Sequence, residues 1–365
     1  DFIRMDNCIV NVRSGEMLPH TMRLFSLGKT EYSFDPKAEC PTWHGFLNSL
    51  WANESPTGDG PIKCQKDALQ RLFGYFLLTN DGNKQKFGYL FGAAASGKTV
   101  TEEVMTALLG EGAVSATDLT RLGKQFGVSE IYGAKLVTIP ECQAGRKDDI
   151  SAGVERIKGI VGGSAVTLDI KGVKQRKVRC TCKFLLSTNQ HINFNDAAGA
   201  FKRRMVLIHY SRSIRGEDDP KLLEKLKKEL SGIFNWALEG ARMYLEDGVL
   251  ETAPQGLWAL QSMEDLTNPI ESFCRDRIVI YKEGDESTWP PGFEDDSVSF
   301  QWTEGEIRFP RGMKESLRDI YEAYIRDMPD RYQPSYPRFK SQISLALGAR
   351  GLPAEWFDRR SQCGG

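Results

Sequence analysis

The sequence predicts an α/β fold with a mostly parallel sheet. Segments of helical periodicity separate four short apolar runs, which lie at residues 87–91, 135–139, 183–187 and 205–209. Strands that alternate with helices are typical of parallel sheets, because each helix carries the chain back across the sheet before the next strand begins. The sequence GAAASGKT follows the first apolar run directly. A strand, a glycine-rich loop and a helix in this order are typical of a phosphate-binding core.

The composition is that of a globular protein with more than one domain. The chain has 365 residues, of which 40% are hydrophobic and 27% are charged, and this length predicts two or three domains. The net charge of −1 excludes a global field that draws the whole chain to nucleic acid or anionic lipid, so any basic surface must be local. No apolar stretch approaches the ~20 residues that span a bilayer, and we expect no membrane partner. The eight cysteines include only one close pair, Cys180 and Cys182, which argues against a zinc site and predicts free thiols.

We expect three regions along the chain. Residues 1–80 form an entry module, with a hairpin about Ser14-Gly15 and two helices rich in aromatic residues. Residues 81–250 hold the sheet, and residues 251–365 form a smaller module of helices. The last two helices and the basic end of this module fit a helix-turn-helix or winged-helix unit, and two ordinary packing helices fit nearly as well. The chain opens with DFIRMDN, without an initiator Met or a secretory leader, and we expect part of the natural protein to precede it.

Two further features are expected within these three regions. A long amphipathic helix is predicted over residues 220–247, with Gly232 as the point at which it can break. Residues 282–297 are acidic and rich in Pro and Gly, so we expect a loop there within the C-terminal module.

The loop after the first strand has the spacing G-x-x-x-x-G-K-T. Gly92 and Gly97 permit a tight turn in which successive N–H groups point at a phosphate, and the following helix adds its positive end. Lys98 would reach the β- and γ-phosphates of a nucleotide, and the Thr99 hydroxyl would bind Mg²⁺. The residues predicted to hold the nucleotide are Gly92, Ala93, Ala94, Ala95, Ser96, Gly97, Lys98, Thr99 and Val100.

Polar residues follow two later strands. The run KLVTIPE ends in Glu141, whose carboxylate can hold Mg²⁺ or polarise an attacking water if it lies beside the loop. The run KFLLSTN ends in Asn189, whose amide can sense the γ-phosphate and position that water. Strands that end in Glu are common in any protein, and an Asn at such a place also forms ordinary turns.

Two basic segments lie between and after these strands. Residues 162–180 read as a β-hairpin whose tip and return strand are densely basic, which suits contact with a nucleic-acid backbone and also suits an exposed edge kept soluble by charge. The cations of this hairpin are Lys171, Lys174, Arg176, Lys177 and Arg179. Arg203 and Arg204 precede the last strand, where they form either a solvated edge or an arginine finger that reaches a neighbouring subunit.

The order of these features resembles the superfamily 3 helicases, in the branch fused to phage, plasmid and poxvirus primases. The resemblance covers most of the chain. The opening IVNVRSGEMLPHT resembles the N-terminal module of that family, YLFGAAASGKT its Walker A motif, and KLVTIPE its Walker B motif. RIKGIVGGSAVTLDIKGVKQRKV resembles the additional motif before sensor 1, LLSTN resembles sensor 1, and FKRRMVLI resembles the arginine-finger segment. KLLEKLKKELSGIFNWALEGARMYLEDG resembles the helix after the ATPase core, and LRDIYEAYIRD with SYPRFKSQISLAL resembles the C-terminal module.

The resemblance implies an AAA+-like P-loop ATPase core, flanked by an N-terminal α+β or helical module and a C-terminal helical or winged-helix module. It implies ATP hydrolysis with Mg²⁺ between the subunits of a homo-hexameric ring, which moves 3′ to 5′ along single-stranded or forked DNA in replication. A primase or polymerase domain would lie outside this chain. The location implied is the cytoplasm, that of the host cell if a phage encodes the protein.

The same resemblance assigns roles to the residues. Lys98 and Thr99 would hold phosphate and Mg²⁺, Glu141 would hold Mg²⁺ and activate water, and Asn189 would sense the γ-phosphate. Arg203 or Arg204 would act on the neighbouring subunit, and the sequence does not choose between the two. The hairpin would grip DNA through Lys171 above all, together with Lys174, Arg176 and Lys177.

Two positions depart from the family pattern. Ser96 stands where many members have Asn, and it still fits the loop. Walker B strands of this superfamily often end in two adjacent acids, whereas Cys142 follows Glu141 here, so one carboxylate serves both Mg²⁺ and water. Two other classes of protein stay open: an AAA+ loader or switch that binds DNA without unwinding it, and a DNA-binding protein with a relic nucleotide site. The intact set of site residues argues against the relic, and the basic hairpin inside the core favours a translocase over a loader.

Overall fold

The structure of the protein is a computed structural model. It describes residues 1–21, 29–78, 85–142, 147–190, 192, 199–214, 219–267, 269–280, 307–309, 317–327 and 333–349. The chain divides into two compact units, which are described separately: residues 1–194 with 200–263, and residues 195–199 with 264–365.

The first unit is built on a parallel sheet of five strands in the spatial order β10-β4-β9-β6-β5. These strands are β4 (Phe87–Gly92), β5 (Val114–Ala116), β6 (Leu136–Ile139), β9 (Lys183–Thr188) and β10 (Met205–Tyr210). Helices cover both faces of such a sheet, so its strands read as continuous apolar runs. The predicted α/β fold is thereby confirmed, and each of the four predicted strands is present. The sequence analysis missed β5, which is short and includes a serine.

Helices of the first unit pack on the two faces of the sheet. They are α1 (Pro41–Leu50), α2 (Gln65–Leu77), α3 (Lys98–Leu109), α4 (Leu119–Gly123), α5 (Gly127–Ile131), α6 (Lys147–Val161), α7 (Leu222–Lys228), α8 (Leu230–Asp247) and the start of α9 (Leu257–Thr267). One face contacts buried side chains of α1, α2, α3, α7 and α8, and the other contacts those of α4 and α6. The result is three layers with a hydrophobic core on either side of the sheet.

The helices α2 and α8 cross so closely that their glycines leave no room for a side chain. A methyl group on Gly240 would lie 2.0 Å from the carbonyl oxygen of Gln70, and one on Gly74 would lie 2.0 Å from the amide nitrogen of Ala241. The absence of a Cβ at these positions therefore allows the two backbones to touch.

We expect Gly240→Ala to destabilise the first unit, because the added methyl group must push two packed helices apart. Overpacking of this kind typically costs about 1–3 kcal/mol in the free energy of unfolding. Gly45→Ala is the matched control: Gly45 lies in α1 with nothing within 4 Å of its added methyl group, so the better helix propensity of Ala should stabilise by about 1 kcal/mol. Urea unfolding followed by circular dichroism measures both, and an unchanged midpoint for Gly240→Ala would contradict the close crossing.

The N-terminal residues form a small antiparallel sheet of β1 (Phe2–Arg4), β2 (Ile9–Asn11) and β3 (Met17–Leu18). Ile9 pairs with Leu18 across the turn that contains Gly15, whose φ is +74°. The predicted hairpin at Ser14-Gly15 is confirmed.

The long helix predicted over residues 220–247 is broken, but not at Gly232. The break falls at Glu229, between α7 and α8, whereas Gly232 lies inside α8, where an added methyl group would be 2.2 Å from the carbonyl oxygen of Glu39. The Glu229 carboxylate accepts hydrogen bonds from the amides of Thr42 and Trp43, at 3.0 and 3.1 Å. It thus caps the first turn of α1, and a tertiary contact fixes the position of the break.

The predicted hairpin within residues 162–180 is present. Its strands are β7 (Val166–Leu168) and β8 (Arg176–Val178), which pair antiparallel. Cys180 and Cys182 lie between β8 and β9 rather than on a strand, and their side chains share a hydrogen bond. The cysteines that the structure describes are all free, as predicted.

The second unit has a helical core of its own. Phe273, Tyr324 and Phe339 meet at its centre. Its elements are α10 (Pro269–Arg277), the parallel pair β11 (Ile278–Ile280) and β12 (Ile307–Phe309), α11 (Leu317–Asp327) and α12 (Tyr336–Ala349). The predicted acidic loop at 282–297 and the basic end of the chain lie outside the described residues. Among the helices that the structure describes, none is both long and apolar enough to cross a membrane.

Candidate functional site

The register of the sheet brings three predicted positions to one edge. Phe91 of β4 pairs with Thr188 of β9, and Ile139 of β6 pairs with Leu186 of β9. Because the three strands are adjacent and parallel, Gly92, Glu141 and Asn189 all lie where these strands end. The carboxyl edge of a parallel α/β sheet is the usual place for a ligand site.

The glycine-rich loop turns tightly between β4 and α3. Gly97 has a φ of +90°, and a methyl group there would lie 2.9 Å from the ring of Phe46. Ala95 has a φ of +53°, a left-handed conformation that non-glycine residues rarely adopt. Residues 93–95 are exposed and have only methyl side chains, so the loop presents mainly backbone to solvent. Backbone strain of this kind clusters at ligand sites.

The segment after β10 fixes the orientation of the loop peptides. The Ser213 hydroxyl donates to the carbonyls of Ala94 and Ala95 at 3.2 and 3.4 Å, and the Ile214 amide donates to Ala95 at 2.7 Å. A trans peptide points its N–H away from its C=O. The amides of Ala95 and Ser96 therefore point away from this segment, which is the alignment of successive N–H groups that an anion-binding loop needs. Ser213 was not among the predicted site residues.

Lys98 is the first residue of α3, and its ammonium group closes the loop. Its Nζ donates to the carbonyls of Gly92 and Ala93, at 2.8 and 2.6 Å, and to the Ser96 hydroxyl at 3.0 Å. The side chain is buried, and this desolvation lowers the pKa of Lys98. All three hydrogen-bond partners are neutral oxygens, and a buried cation is costly without an anion beside it. The residues present therefore fit a phosphate group.

The next residues of α3 serve different purposes. Thr99 is exposed on the first turn, and Val100 packs partly against the core. Thr101 anchors the helix: its hydroxyl donates to the carbonyl of Gly97 at 3.0 Å and accepts from the Tyr210 hydroxyl at 2.8 Å. The start of α3 is thus held to the end of β10.

Glu141 lies in the turn that follows β6. It is exposed, and its φ of +50° is left-handed. The next residue, Cys142, fixes this turn to β9: its amide donates to the carbonyl of Ser187 at 3.3 Å and its thiol to the same oxygen at 3.4 Å. Cys142 is 1% exposed, and burial raises the pKa of its thiol to about 12. A second acid at position 142 would have to bury its charge, which explains why a thiol suits this place.

Asn189 stands exposed at the end of β9. The residue before it, Thr188, is buried, and its hydroxyl donates to the carbonyl of Gln190 at 2.5 Å and accepts from the Gln190 amide at 3.1 Å. This local turn holds Asn189 at the carboxyl edge, beside the strand that leads to Gly92.

A second acid at this edge was missed by the sequence analysis. Glu102, on α3, is half-buried, and its carboxylate takes a side-chain hydrogen bond from Thr138 of β6. Desolvation raises the pKa of Glu102 to about 7. The signal that could have found it is a Glu four residues after Lys98, one helical turn along the same face.

The two arginines lie at the opposite edge of the sheet. They immediately precede β10, whose first residue, Met205, pairs with Phe87 and whose last, Tyr210, pairs with Gly92. Five residue steps at about 3.3 Å place these ends about 17 Å apart. The structure therefore places Lys98, Glu141 and Asn189 at one edge of the sheet and the arginines at the other.

The arginines also differ from each other. Arg204 donates from Nη1 to the carbonyl of Ala200 at 2.7 Å and from Nη2 to the side chain of Gln85 at 2.8 Å. Arg203 is exposed, and it is its carbonyl oxygen that accepts from Lys86, at 3.0 Å. Arg204 is thus committed to its own chain, and Arg203 extends into solvent.

The basic hairpin enters β9 from the same edge as the arginines. Its predicted cations Lys171, Lys174, Arg176 and Lys177 are all exposed. Buried Asp169 braces the tip: its Oδ2 accepts from Gln125 and Gln175, at 2.6 and 2.7 Å. The tip also exposes Val173, at 58%. Two cations at the braced tip and two on the return strand form a local basic surface in a chain whose net charge is −1.

A cavity of about 430 Å³ adjoins the segment that holds the loop. Trp51, Glu54, His209, Arg212 and Trp258 are among its lining residues. Burial raises the pKa of Glu54 to about 7. Aromatic walls with a few polar groups are typical of pockets for small ligands, and this volume is within their usual range.

Two sequence families match parts of the chain. Residues 1–52 match the family described as "D5 N terminal like", and residues 90–204 match the "Family of unknown function (DUF5906)". The first match supports the resemblance of the chain to the phage and plasmid primase-helicases. The second covers every predicted site residue from Gly92 to Arg204, and its description assigns no activity.

Three solved structures are similar at a low level, and all are apo structures of the NrS-1 C-terminal region. Their sequence identities are 12%, 13% and 10%, and their TM-scores are 0.46, 0.42 and 0.42. The matches cover 72%, 76% and 96% of this chain. This chain spans 60%, 75% and 86% of the length of those chains. Likeness at this level says nothing about activity.

Proposed function

We propose that this chain is the ATP-driven motor of a replicative DNA helicase, of the superfamily 3 AAA+ type, which works as a ring. The observation that carries the proposal is the division of the predicted site between two edges of one sheet. Lys98, Glu141 and Asn189 lie at the carboxyl edge, while the arginines precede β10 at the amino edge, and the two ends of that strand are about 17 Å apart. A subunit with this arrangement needs a neighbour to complete its site, and repetition of one such contact around a closed ring satisfies every subunit.

The carboxyl edge would bind ATP. The buried ammonium group of Lys98 would exchange neutral oxygens for phosphate oxygens, and the amides of Ala95 and Ser96 would donate to the same group. The aromatic cavity beside the segment that follows β10 would take the base. A bound Mg²⁺ ion supplies positive charge at the β- and γ-phosphates. The Thr99 hydroxyl and the Glu141 carboxylate are the hard oxygen ligands that such an ion prefers.

Three residues would carry the hydrolysis step. Glu141 would accept a proton from the attacking water, and the Asn189 amide would hold that water in line with the γ-phosphate. Arg203 of the neighbouring subunit would stabilise the charge that develops on the transferred phosphoryl group. We assign this role to Arg203 rather than Arg204, because the Arg204 guanidinium already binds Ala200 and Gln85 within its own chain.

The hairpin would couple this reaction to DNA. Lys171 and Lys174 are exposed at the braced tip and Arg176 and Lys177 are exposed on the return strand, where they can reach phosphates of a single strand. Movement 3′ to 5′ on single-stranded or forked DNA, a homo-hexameric ring and a primase or polymerase domain elsewhere in the natural protein complete the proposal.

The test is strand displacement on forked DNA of both polarities, for the wild type and for a Lys171→Ala/Lys174→Ala variant. We expect ATP-dependent displacement by the wild type on the 3′-tailed fork. The variant should lose DNA-stimulated ATP turnover and displacement but keep nucleotide binding, because the hairpin and the loop lie at different edges of the sheet. Each lost phosphate contact should lower the salt dependence of single-strand binding by about 0.7 in log–log slope.

Lys227→Ala/Lys228→Ala is the matched control, since both lysines are exposed on α7, outside the hairpin and the site. This control removes the same charge and should behave as the wild type. An unchanged affinity and salt slope for the hairpin variant would exclude the hairpin as the DNA grip. ATP turnover stimulated by DNA, without displacement on either fork, would identify a loader or switch instead.

A further inference from the structure

The strand β6 has no acidic residue on the face that it turns towards α3. Leu136 packs in the same core as Val104 and Met105 of α3, whereas Val137 and Ile139 pack in the core on the opposite face of the sheet. Side chains alternate along a strand, so position 138 faces α3, and a strand that continued this alternation would face α3 again at position 140. That position holds Pro140, which offers no ligand.

Glu102 supplies a carboxylate from α3, on the other side of the contact between this helix and β6. It lies three residues after Thr99 on α3, and residues three apart are neighbours on a helix surface. Its carboxylate is hydrogen-bonded to the side chain of Thr138, two residues before Pro140. A second acid is therefore present beside the first turn of α3, but the helix carries it rather than the strand.

The surroundings of this carboxylate favour a cation. Thr138 stabilises its charge through the hydrogen bond, while burial and the nearby charge of Glu103 oppose it. A half-buried carboxylate beside a hydroxyl and the acid Glu103 gains most from a positive ion.

We propose that Glu102 is the second acid of the nucleotide site and positions Mg²⁺ through one of its bound waters, where the strand β6 has no acid of its own. This inference rests on the proposed binding of ATP and Mg²⁺. Glu141, exposed in its turn, would then bind the ion directly and accept the proton of the attacking water, and Glu102 would orient the ion through the bound water. Residues that act on a metal through its ligands typically contribute 10–100-fold to metal affinity.

The test measures binding rather than turnover. A fluorescent ATP analogue is titrated into Glu102→Gln, first in EDTA and then at rising Mg²⁺ concentration, and Mn²⁺ bound to the nucleotide complex is counted by electron paramagnetic resonance. The Mg²⁺ concentration for half-maximal binding should rise about 10–100-fold, while binding in EDTA stays within about twofold of the wild type, because Lys98 and the loop are intact. Glu103→Gln is the matched control: it removes the neighbouring exposed acid of the same helix and should keep the wild-type Mg²⁺ dependence.

A wild-type Mg²⁺ dependence in Glu102→Gln overturns the inference and leaves the proposed function standing. Failure of the wild type to bind the analogue, or equal binding by Lys98→Ala, overturns the proposed function itself. Thermal unfolding accompanies each titration, and Glu102→Asp is the second variant if Glu102→Gln does not fold. Its shorter carboxylate should retain part of the Mg²⁺ affinity, and full wild-type affinity there, together with a Glu103→Gln defect, would assign the role to Glu103.

Discussion

Lys98→Ala is expected to abolish ATP hydrolysis, with a loss of at least about 10²–10³-fold in kcat, the usual effect of removing one preorganised charge donor from a phosphoryl or oxyanion site. Two properties of the residue make the effect large. Its ammonium group holds both ends of the loop, through Gly92 and Ser96, and it is the cation placed to meet the phosphate. Nucleotide affinity should fall together with turnover, because the contact exists with bound ATP as well as in the transition state.

The fold should tolerate this change. Burial lowers the pKa of Lys98, so the unfolded state holds the proton more tightly than the folded state does. The charged side chain therefore costs stability at every pH below its folded pKa, and this cost is lost as the pH rises from the folded pKa to the unfolded one. Removing the side chain relieves this cost and also removes its three hydrogen bonds to the loop, so the two effects oppose each other and the melting temperature should change little.

Lys124→Ala is the control for this experiment, because Lys124 is an exposed lysine outside the loop. Steady-state ATP turnover and calorimetric titration with ATP measure the effect on function, and thermal unfolding measures the effect on the fold. Full turnover by a folded Lys98→Ala protein would remove the phosphate-binding assignment.

The strands and the loop could be predicted because their signals are local. The runs that became β4, β6, β9 and β10 are buried on both faces of the sheet, so they appear as continuous apolar segments. The spacing of Gly92, Gly97 and Lys98 is fixed by the backbone of one turn. Side chains at strand ends also follow from the sequence once the sheet is known to be parallel, which is why Glu141 and Asn189 were found.

The features that were missed depend on contacts distant in sequence. Glu229 breaks the helix because its carboxylate caps α1, almost 190 residues earlier in the chain, and an amphipathic pattern contains no trace of that contact. Gly232 was predicted to be the break because glycine weakens helices. Instead it lies inside α8, where the backbone of Glu39 approaches too closely for a side chain. Glu102 looked like one of two surface acids, and only the packing of α3 on β6 separates it from Glu103.

The choice between the two arginines has the same character. The two arginines are adjacent in the sequence, and nothing in the sequence favours one of them as the arginine finger. The side chain of Arg204 is held by Ala200 and Gln85, and Arg203 is exposed. Because the arginines and the loop lie at opposite edges of the sheet, neither arginine can serve the loop of its own chain. The pair therefore predicts a contact between two subunits.

Arg203→Ala is expected to lower ATP turnover by about 10³–10⁵-fold, the usual contribution of an arginine finger, while ATP affinity and the melting temperature stay close to those of the wild type. The residue is exposed and lies at the edge of the sheet opposite the loop, so its removal disturbs neither the fold nor the binding of nucleotide within its own subunit. Arg204→Ala is the matched comparison. It should lower the melting temperature, because it removes two hydrogen bonds that tie the segment before β10 to Ala200 and Gln85.

Mixing two inactive variants gives the decisive measurement. A Lys98→Ala subunit keeps its arginine, and an Arg203→Ala subunit keeps its loop, so a contact between the two in one orientation contains a complete site. In an equimolar mixture about a quarter of the contacts have this composition if subunits assemble at random in a cyclic oligomer. Turnover should therefore reappear on mixing, and Lys98→Ala mixed with an Arg203→Ala/Lys98→Ala double variant should stay inactive. Recovery cannot arise within a single chain, because each chain lacks one half of the site; a mixture without activity, formed from folded proteins that co-assemble, would show that Arg203 does not complete the site of a neighbour.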